Sequence, residues 1–284
     1  VIMGINSADD VFVNRAVTGW HDPKDFHQAV AFDLLANPNL LPGAPEEVRI
    51  DAVVHRDFID EDGEKRLDVL LVGVNPEIVD TQVQILQKAG LNIAGADLAG
   101  MAMLRSGQTF NRGDGQLDVL VDIGQEVVSV LIHENGRPYA IRLQKGAGGA
   151  DADRIIRDAI LDDTPARIQR LKSAPEAAAP EDRAKLLSAL EEYSFKVYTA
   201  IEKAVAGYLK AHPPTEENPT SIETITLTGG GALMPTLAAT LSNSFRVPVQ
   251  IAAFDPTIAG DPVMFQQENV MSTSFTAAVG LAMG

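Results

Sequence analysis

Two short stretches of the chain combine carboxylate and glycine residues in patterns that suit phosphate chemistry. The first, "LDVLVDIGQEVVSVLI", is an apolar strand that reaches Asp122, passes Gly124 and Gln125, and returns as a second strand. A hairpin tip of this kind can offer backbone N–H groups to a phosphate, while the carboxylate holds a magnesium ion through water. A plain hairpin turn without a ligand is the alternative, because turns that contain Asp and Gly are common.

The second stretch, "ETITLTGGGALMPTLAATLSNSF", places Gly229, Gly230 and Gly231 between a predicted strand and a predicted helix. Three adjacent glycines cost conformational entropy when the chain folds. Close approach of a phosphate or a nucleotide to the backbone is one reason to keep them. A tight strand-to-helix turn is the other interpretation.

The elements around these stretches alternate between strand and helix patterns, which predicts an α/β or α+β class. A helix is expected from Asp22, with Pro23 at its first position. The stretch "KSAPEAAAPEDR" is predicted to be a linker or a loose insertion. A long helix is predicted after it, from apolar residues at steps of three and four: Leu186, Leu190, Tyr193, Val197, Ile201, Val205 and Tyr208.

Composition excludes several classes of function. The chain has 284 residues and a net charge of −16, which disfavours nucleic acid as a partner. It has no cysteine, which excludes disulfides and thiol chemistry. No apolar run is long enough to span a bilayer. The five histidines lack the spacing of metal ligands.

Taken together, the two stretches and "KGAGGAD" between them resemble the actin-like ATPase superfamily. "VDIGQEVV" is similar to that superfamily's second phosphate loop, and "TLTGGGALMP" to its adenosine loop. Within the superfamily, the order of motifs over the whole chain resembles the PilM family of type IV pilus assembly proteins. The resemblance implies an α/β, two-lobed actin-like (RNase H-like) ATPase fold with a small inserted SHS2-type α+β subdomain.

The resemblance also implies where the domains lie. Residues 1–10 would belong to the first main lobe, 11–98 to the inserted subdomain, and 99–116 to the return into the first lobe. Residues 117–268 would form the second lobe, with a helical subdomain at 152–200. Residues 269–284 would form the closing helix of the first lobe.

For the site, the resemblance implies ATP between the lobes, with Mg²⁺ bound to Asp122 through water. The backbone at the glycine triplet and Ala232 would pass against the base and ribose. Gly148 and Gly149 resemble the glycine pair on the phosphate side, although a strand-to-helix turn capped by Asp151 explains them equally. Glu202 occupies about the position of an adenosine contact, and an exposed charge pair with Lys203 is its alternative.

No catalytic residue is assigned, so at most slow ATPase activity is expected, with ATP acting as a conformational ligand. The resemblance implies as partner the N-terminal cytoplasmic tail of a PilN-like membrane protein, held beside the inserted subdomain, together with other components of the pilus machine. The expected location is the cytoplasm, at the inner face of the membrane, without direct membrane insertion.

Three alternatives stay open from the sequence. An FtsA-like cell-division protein carries its inserted subdomain at the same place but normally ends in an amphipathic membrane helix, which this sequence lacks. The superfamily's first phosphate loop belongs before Val1 and is expected upstream; without it, a nucleotide-free scaffold of the same fold is the second alternative. A sugar or acid kinase of the superfamily is the third, but no catalytic Asp base can be named.

Overall fold

The computed structural model describes residues 1–22, 24–45, 47–106, 116–162, 164–213, 221–252, 273 and 276–283. The strands in this part of the chain are β1 Ile2–Ile5, β2 Val11–Gly19, β3 Arg49–Ile59, β4 Lys65–Val74, β5 Gly95–Leu98, β6 Gln116–Ile123, β7 Val127–Glu134, β8 Arg137–Lys145, β9 Ser221–Thr228 and β10 Val249–Ile251. The α-helices are α1 Phe26–Ala36, α2 Pro76–Lys88, α3 Ala99–Arg105, α4 Gly149–Ile160, α5 Pro165–Ser173, α6 Pro180–Ala211, α7 Leu237–Phe245 and α8 Thr276–Ala282.

The largest sheet has the strand order β10-β9-β6-β7-β8. Its strands β10, β9 and β6 run parallel, while β6, β7 and β8 form an antiparallel meander. One face of β6 packs Val119, Val121 and Ile123 into the core that α4, α6 and α7 cover, and Leu120 packs on the opposite side. Because both faces are covered, the middle residues of β6 and β7, Val119–Val121 and Val130–Ile132, are all apolar.

The turn between β7 and β8 consists of Asn135 and Gly136, whose φ angles are +49° and +78°. Two residues with positive φ match the right-handed twist of the flanking strands, and Asn-Gly is the pair that best tolerates them. An Asn-Gly pair between two apolar strands is a signal of such a turn that can be recognised from the sequence.

A second sheet, with the order β2-β4-β3, carries α1 on one face. The central strand β4 is buried from Leu67 to Val74, because its other face packs on β1, α2 and the large sheet. Strand β5 falls within residues 11–98 but pairs in parallel with β1, apart from this three-stranded sheet.

The small sheet meets the large one through a charged and aromatic set of side chains, here called the junction cluster: Arg15, His55, Asp68, Tyr139 and Tyr208. Arg15 donates two hydrogen bonds to the carboxylate of Asp68, at 2.9 and 2.6 Å, and its guanidinium carbon lies 4.5 Å from the centre of the Tyr139 ring. The ring of His55 lies 4.8 Å from that of Tyr139, and Tyr139 and Tyr208 contact edge to face. The cluster therefore joins β2, β3 and β4 to β8 and α6.

The predicted start of the first helix needs correction. Helix α1 begins at Phe26 with Asp25 as its N-cap, because the Asp22 carboxylate instead accepts the Lys24 N–H at 2.9 Å and closes a turn. The predicted position of Pro23 lies outside the described residues.

The linker predicted from "KSAPEAAAPEDR" is also wrong. It contains the end of α5, a 3-10 turn at Pro175–Ala177 and the first turn of α6. Ala178 is only 5% exposed and packs into the core beneath α6, which anchors the segment. The proline at the start of α6 suits a first helical turn, where no N–H is needed.

The chain closes with α8, which crosses α3 at very short range. A Cβ on Gly280 would overlap the backbone carbonyl of Ala102, so only glycine permits this crossing. Residues 269–272, 274, 275 and 284 of the predicted closing segment lie outside the described residues, as do 107–115 of the return segment and 253–268 of the second lobe.

None of the helices in the described ranges combines the length and apolar character needed to cross a bilayer.

Candidate functional site

The tip of the β6–β7 hairpin, the start of α4, helix α5 and the glycine triplet surround one pocket of about 390 Å³. Its lining brings together predicted residues from two distant stretches and adds others that were not predicted. The lining residues are Ile123, Gly124, Gln125, Gly149, Gln169, Lys172, Ser173, Gly230, Gly231, Leu233 and Met234.

The hairpin tip is locked onto the start of α4 by backbone hydrogen bonds. The N–H of Gly149 donates to the Gly124 carbonyl at 2.9 Å, and the N–H of Ala150 donates to the Gln125 carbonyl at 2.8 Å. A Cβ on Gly148 would overlap the Gln125 carbonyl, so this glycine serves the close approach of the two segments. Gly149 lines the pocket, whereas Gly148 does not.

The turn that leads into α4 is capped by Gly148 and not by Asp151. Asp151 lies in the first turn of the helix, and its carboxylate accepts the Gly148 N–H at 3.2 Å. Both sequence interpretations of the glycine pair thus describe part of the geometry: a strand-to-helix turn at Gly148 and a pocket wall at Gly149.

The three glycines of the triplet differ in what requires them. Gly229 has φ +83°, and a Cβ there would overlap the Asp122 carboxylate and lie 2.6 Å from the Ile123 carbonyl oxygen. A Cβ on Gly231 would overlap the Ile123 side chain. Gly230 is exposed, lines the pocket and does not have a positive φ. The fold therefore demands glycine at 229 and 231, while Gly230 leaves space for something that approaches the backbone.

Asp122 is the second-last residue of β6 and precedes the lining residue Ile123, without lining the pocket itself. Its side chain is half-buried, and burial raises the pKa of the carboxyl to about 6. Among the described residues, no hydrogen bond or ion pair holds this carboxylate. Its lone pairs are available to accept hydrogen bonds from water bound to a cation.

Two predicted site residues lie elsewhere. Ala232 is 1% exposed and packs into the core from the 3-10 turn Gly230–Leu233. Glu202 is half-buried on α6, and the pocket does not include it.

Three pocket residues on α5 were missed from the sequence, Gln169, Lys172 and Ser173, and the lining residues Ile123, Leu233 and Met234 were not predicted either. Of the described residues that line the pocket, Lys172 alone carries a charge. Its ammonium donates to the carbonyl of Gly149 at 3.3 Å and to the carboxylate of Asp153 at 2.8 Å. The spacing of three and four residues, which puts all three on one helix face, is the signal that could have found them.

The groups that line the pocket define which interactions it offers to a ligand. Within the described ranges, no group of three or more His, Cys, Asp or Glu residues could hold a metal ion directly. The available chemistry is recognition by backbone groups, by one ammonium and by the amides of two glutamines, together with a water-mediated cation contact at Asp122.

A second groove of about 240 Å³ separates the small sheet from the β1–β5 pair. Its floor is apolar, and the edges of β3 and β5 flank it. The lining residues are Ile5, Arg49, Ile50, Asp51, Ala52, Val53, Val72, Val74, Val79, Ala96, Asp97, Leu98 and Met101.

The family model of the type IV pilus assembly protein PilM matches residues 30–284. This chain belongs to the PilM family. Its role is therefore in type IV pilus assembly, and the family match decides against the FtsA and kinase alternatives.

Solved structures agree on the fold. A PilM–PilN type IV pilus biogenesis complex matches with a TM-score of 0.74 at 19% identity, over 96% of this chain and 76% of that chain. The ethanolamine utilization protein EutJ of Carboxydothermus hydrogenoformans matches with a TM-score of 0.50 at 13% identity, over 74% of this chain and 62% of that chain. No curated protein matches this PilM family member. The predicted actin-like ATPase fold is confirmed.

Proposed function

We propose that this PilM family member binds ATP in the 390 Å³ pocket and holds the N-terminal cytoplasmic tail of a PilN-like membrane protein in the groove beside β3 and β5. It would serve as a platform for other components of the pilus machine at the inner face of the membrane. The observation that carries the proposal is the convergence of the hairpin tip and the glycine triplet, far apart in sequence, on one pocket.

The shape and chemistry of the pocket suit a nucleotide. Gly230 presents bare backbone on one wall, and Gly124 and Gly149 do so on another, so a flat base or a phosphate can lie against peptide groups. Lys172 supplies a donor on the third wall. With no catalytic base among the lining residues, ATP would act by closing the lobes and altering the groove, through its different affinity for the two states.

Asp122 fits a magnesium ion bound through water. Its carboxylate has no partner among the described residues and lies next to the pocket walls at Ile123 and Gly124. When bound, the cation would neutralise the phosphates. Its positive charge would also favour the ionised form of Asp122 and lower the pKa from about 6.

Calorimetry of ATP binding with Mg²⁺, at pH 6 and in two buffers of different ionisation enthalpy, tests the nucleotide site. We expect binding to release a fraction of a proton from Asp122, and Asp122→Asn to abolish this release and weaken Mg²⁺-dependent binding. Asp158→Asn, at an exposed position on α4, is the matched control and should behave like the wild type. Equal affinity and equal proton release in Asp122→Asn would remove Asp122 from the site.

The shape of the groove suits an extended peptide. The β3 edge at Ala52 and Val53 faces the β5 edge at Ala96 and Leu98, and unpaired strand edges can take up a further strand by backbone hydrogen bonding. Apolar side chains of the floor would take alternate side chains of the peptide. A basic tail would be attracted to a protein of net charge −16, which speeds its capture.

A fluorescent peptide from the tail of the PilN encoded beside this protein, titrated at low and high salt, tests the groove. We expect binding that weakens with salt but persists, because apolar anchors remain. Val53→Arg should abolish it, while Val54→Arg, at the next position but 45% exposed and outside the groove, should not. Absence of binding at both salts by a folded wild-type chain would overturn the proposed partner.

A further inference from the structure

Asp153 lies behind the nucleotide pocket and accepts hydrogen bonds from three of its lining residues. Its Oδ1 accepts from the Lys172 ammonium at 2.8 Å and from the Gln169 amide at 3.2 Å. Its Oδ2 accepts from the Gln125 amide at 3.2 Å and again from Gln169 at 3.3 Å. The side chains of Lys172 and Asp153 are only 14% and 16% exposed, so solvent screens the interaction of this pair little.

We propose that Asp153 is the positioning residue of the nucleotide pocket: it ties the hairpin tip to α5 and sets the direction of Lys172. The inference rests on the proposed ATP site. It adds a residue that does not line the pocket and acts on the ligand only through others.

The hydrogen-bond count of Lys172 supports this role. An ammonium group has three donors. One reaches Asp153 and one reaches the Gly149 carbonyl, which leaves a third for an acceptor in the pocket. Without Asp153, this donor could turn with the flexible stem of the side chain.

Asp153 would increase ligand affinity by ordering the pocket side chains before the ligand binds. Lys and Gln side chains lose rotamer freedom when a ligand fixes them, and that loss reduces affinity. Asp153 holds Gln125, Gln169 and Lys172 in place before the ligand arrives. These residues belong to two separate elements, the hairpin tip and α5, so the same carboxylate also holds two walls of the pocket at a fixed distance.

The charge of Asp153 acts in the opposite sense, because it reduces the net attraction of Lys172 for a polyanion. Positioning and charge compensation therefore predict opposite results when the carboxylate is neutralised. Positioning predicts weaker binding of ATP, and relief of repulsion predicts tighter binding.

A double-mutant cycle on the full chain tests the proposal, with ATP affinity measured by calorimetry and the melting temperature measured in parallel. We expect Asp153→Asn and Lys172→Met each to weaken binding about tenfold, the lower end of what supporting residues contribute at metal sites. The double variant should lose clearly less affinity than the product of the two single losses, because Asp153 acts in part through Lys172. Asp158→Asn, exposed on the same helix, should keep the wild-type affinity.

Unchanged affinity, tighter binding, or additive losses in the double variant would each overturn the positioning role. If Asp153→Asn fails to fold, Asp153→Glu replaces it: the carboxylate is kept but displaced by one methylene, and wild-type affinity in that variant overturns the inference. A folded wild-type chain that binds no ATP refutes the proposed function itself, a result seen before any variant is made.

Discussion

The β7–β8 hairpin has two ends that the protein uses in opposite ways. One end lies next to Gly124, where glycines leave the backbone without side chains and this bare backbone lines a pocket. At the other end, near Tyr139, the junction cluster packs large side chains against one another, and Asp68 is only 5% exposed. A surface that must admit a ligand needs bare backbone, whereas a joint between two sheets needs closely packed side chains.

The same contrast separates glycines that serve the fold from those that leave room for a ligand. Gly229 and Gly231 are confined by Asp122 and Ile123, but Gly230 meets the pocket. Substitutions at neighbouring positions of one motif should therefore produce different kinds of loss. The two kinds of loss, in stability and in ATP affinity, can be measured separately. Variants of the junction cluster give a second comparison, which concerns stability.

The largest effect is expected from Gly229→Ala. Its φ of +83° with ψ of 171° is a region that only glycine occupies at low cost, and the added Cβ would overlap the Asp122 carboxylate. Strain and overpacking together should lower the free energy of unfolding by about 4 kcal/mol. Urea denaturation measures this.

Gly230→Ala is the control, expected to keep the wild-type stability but to lose ATP affinity. If only its melting temperature falls, Gly230 serves the turn, and it does not differ from Gly229 and Gly231 in the way described.

Arg15→Ala should be next in size. It leaves the carboxylate of Asp68 buried without its bidentate partner, a loss of about 3 kcal/mol in unfolding free energy. Arg56→Ala is the matched control: its guanidinium is 3.5 Å from the same carboxylate, but its side chain is 66% exposed. We expect a change of less than about 0.5 kcal/mol there. Similar losses of unfolding free energy in Arg15→Ala and Arg56→Ala would show that burial does not determine how much an arginine beside Asp68 stabilises the fold.

The next largest effect is expected in the pH dependence of the free energy of unfolding. Burial, and then the nearby Arg15 charge, lower the pKa of His55 from 6.5 to about 4 in the folded protein. A lowered pKa means that the folded state prefers the neutral ring, so stability is fully present above pH 6.5 and is lost as the pH falls towards 4. The loss should reach about 2.5 kcal/mol at pH 4.5.

His55→Gln removes this ring and should flatten the profile of unfolding free energy between pH 7 and 4.5 by that amount. The remaining slope should include His133, whose pKa burial also lowers to about 4. An unchanged slope in His55→Gln contradicts the assignment to the junction cluster.

The smallest effect belongs to Asp122. Burial raises the pKa of its carboxyl to about 6, so the folded state prefers the protonated form. The ionised form thus destabilises the fold above pH 6, and this penalty disappears as the pH falls from 6 to 4. Asp122→Asn should be more stable than the wild type by about 2 kcal/mol at pH 8, after allowance for its partial exposure, and equal to it at pH 4. Lower stability of the variant at pH 8 would show that the carboxylate has a stabilising partner.

Much of the candidate site was predictable because it rests on local geometry. Gly124, Gln125, Gly149, Gly230 and Gly231 were predicted from short motifs and all line the pocket. These motifs are recognisable since a tight turn or a close approach leaves few residue types that fit. The turn at Asn135 and Gly136 was predictable for the same reason.

The misses concern residues whose neighbours lie far away in sequence. Glu202 and Lys172 both stand on helices and both look like surface charges, yet only Lys172 reaches the pocket. The segment around Ala178 looked like a linker because alanine and proline are typical of one, and only its burial under α6 shows otherwise.

The sequence by itself determined the class of fold, the two glycine-bearing loops, the turns and the long helix, because hydrophobic period and backbone restriction act over a few residues. Tertiary structure alone decided which glycines line the pocket, that α5 supplies a wall of the pocket, and that Asp153 accepts hydrogen bonds from three side chains of two elements. It also decided that Arg15 and Asp68 meet Tyr139 of another sheet. Such contacts depend on how elements pack at long range, and no local pattern of residues specifies that packing.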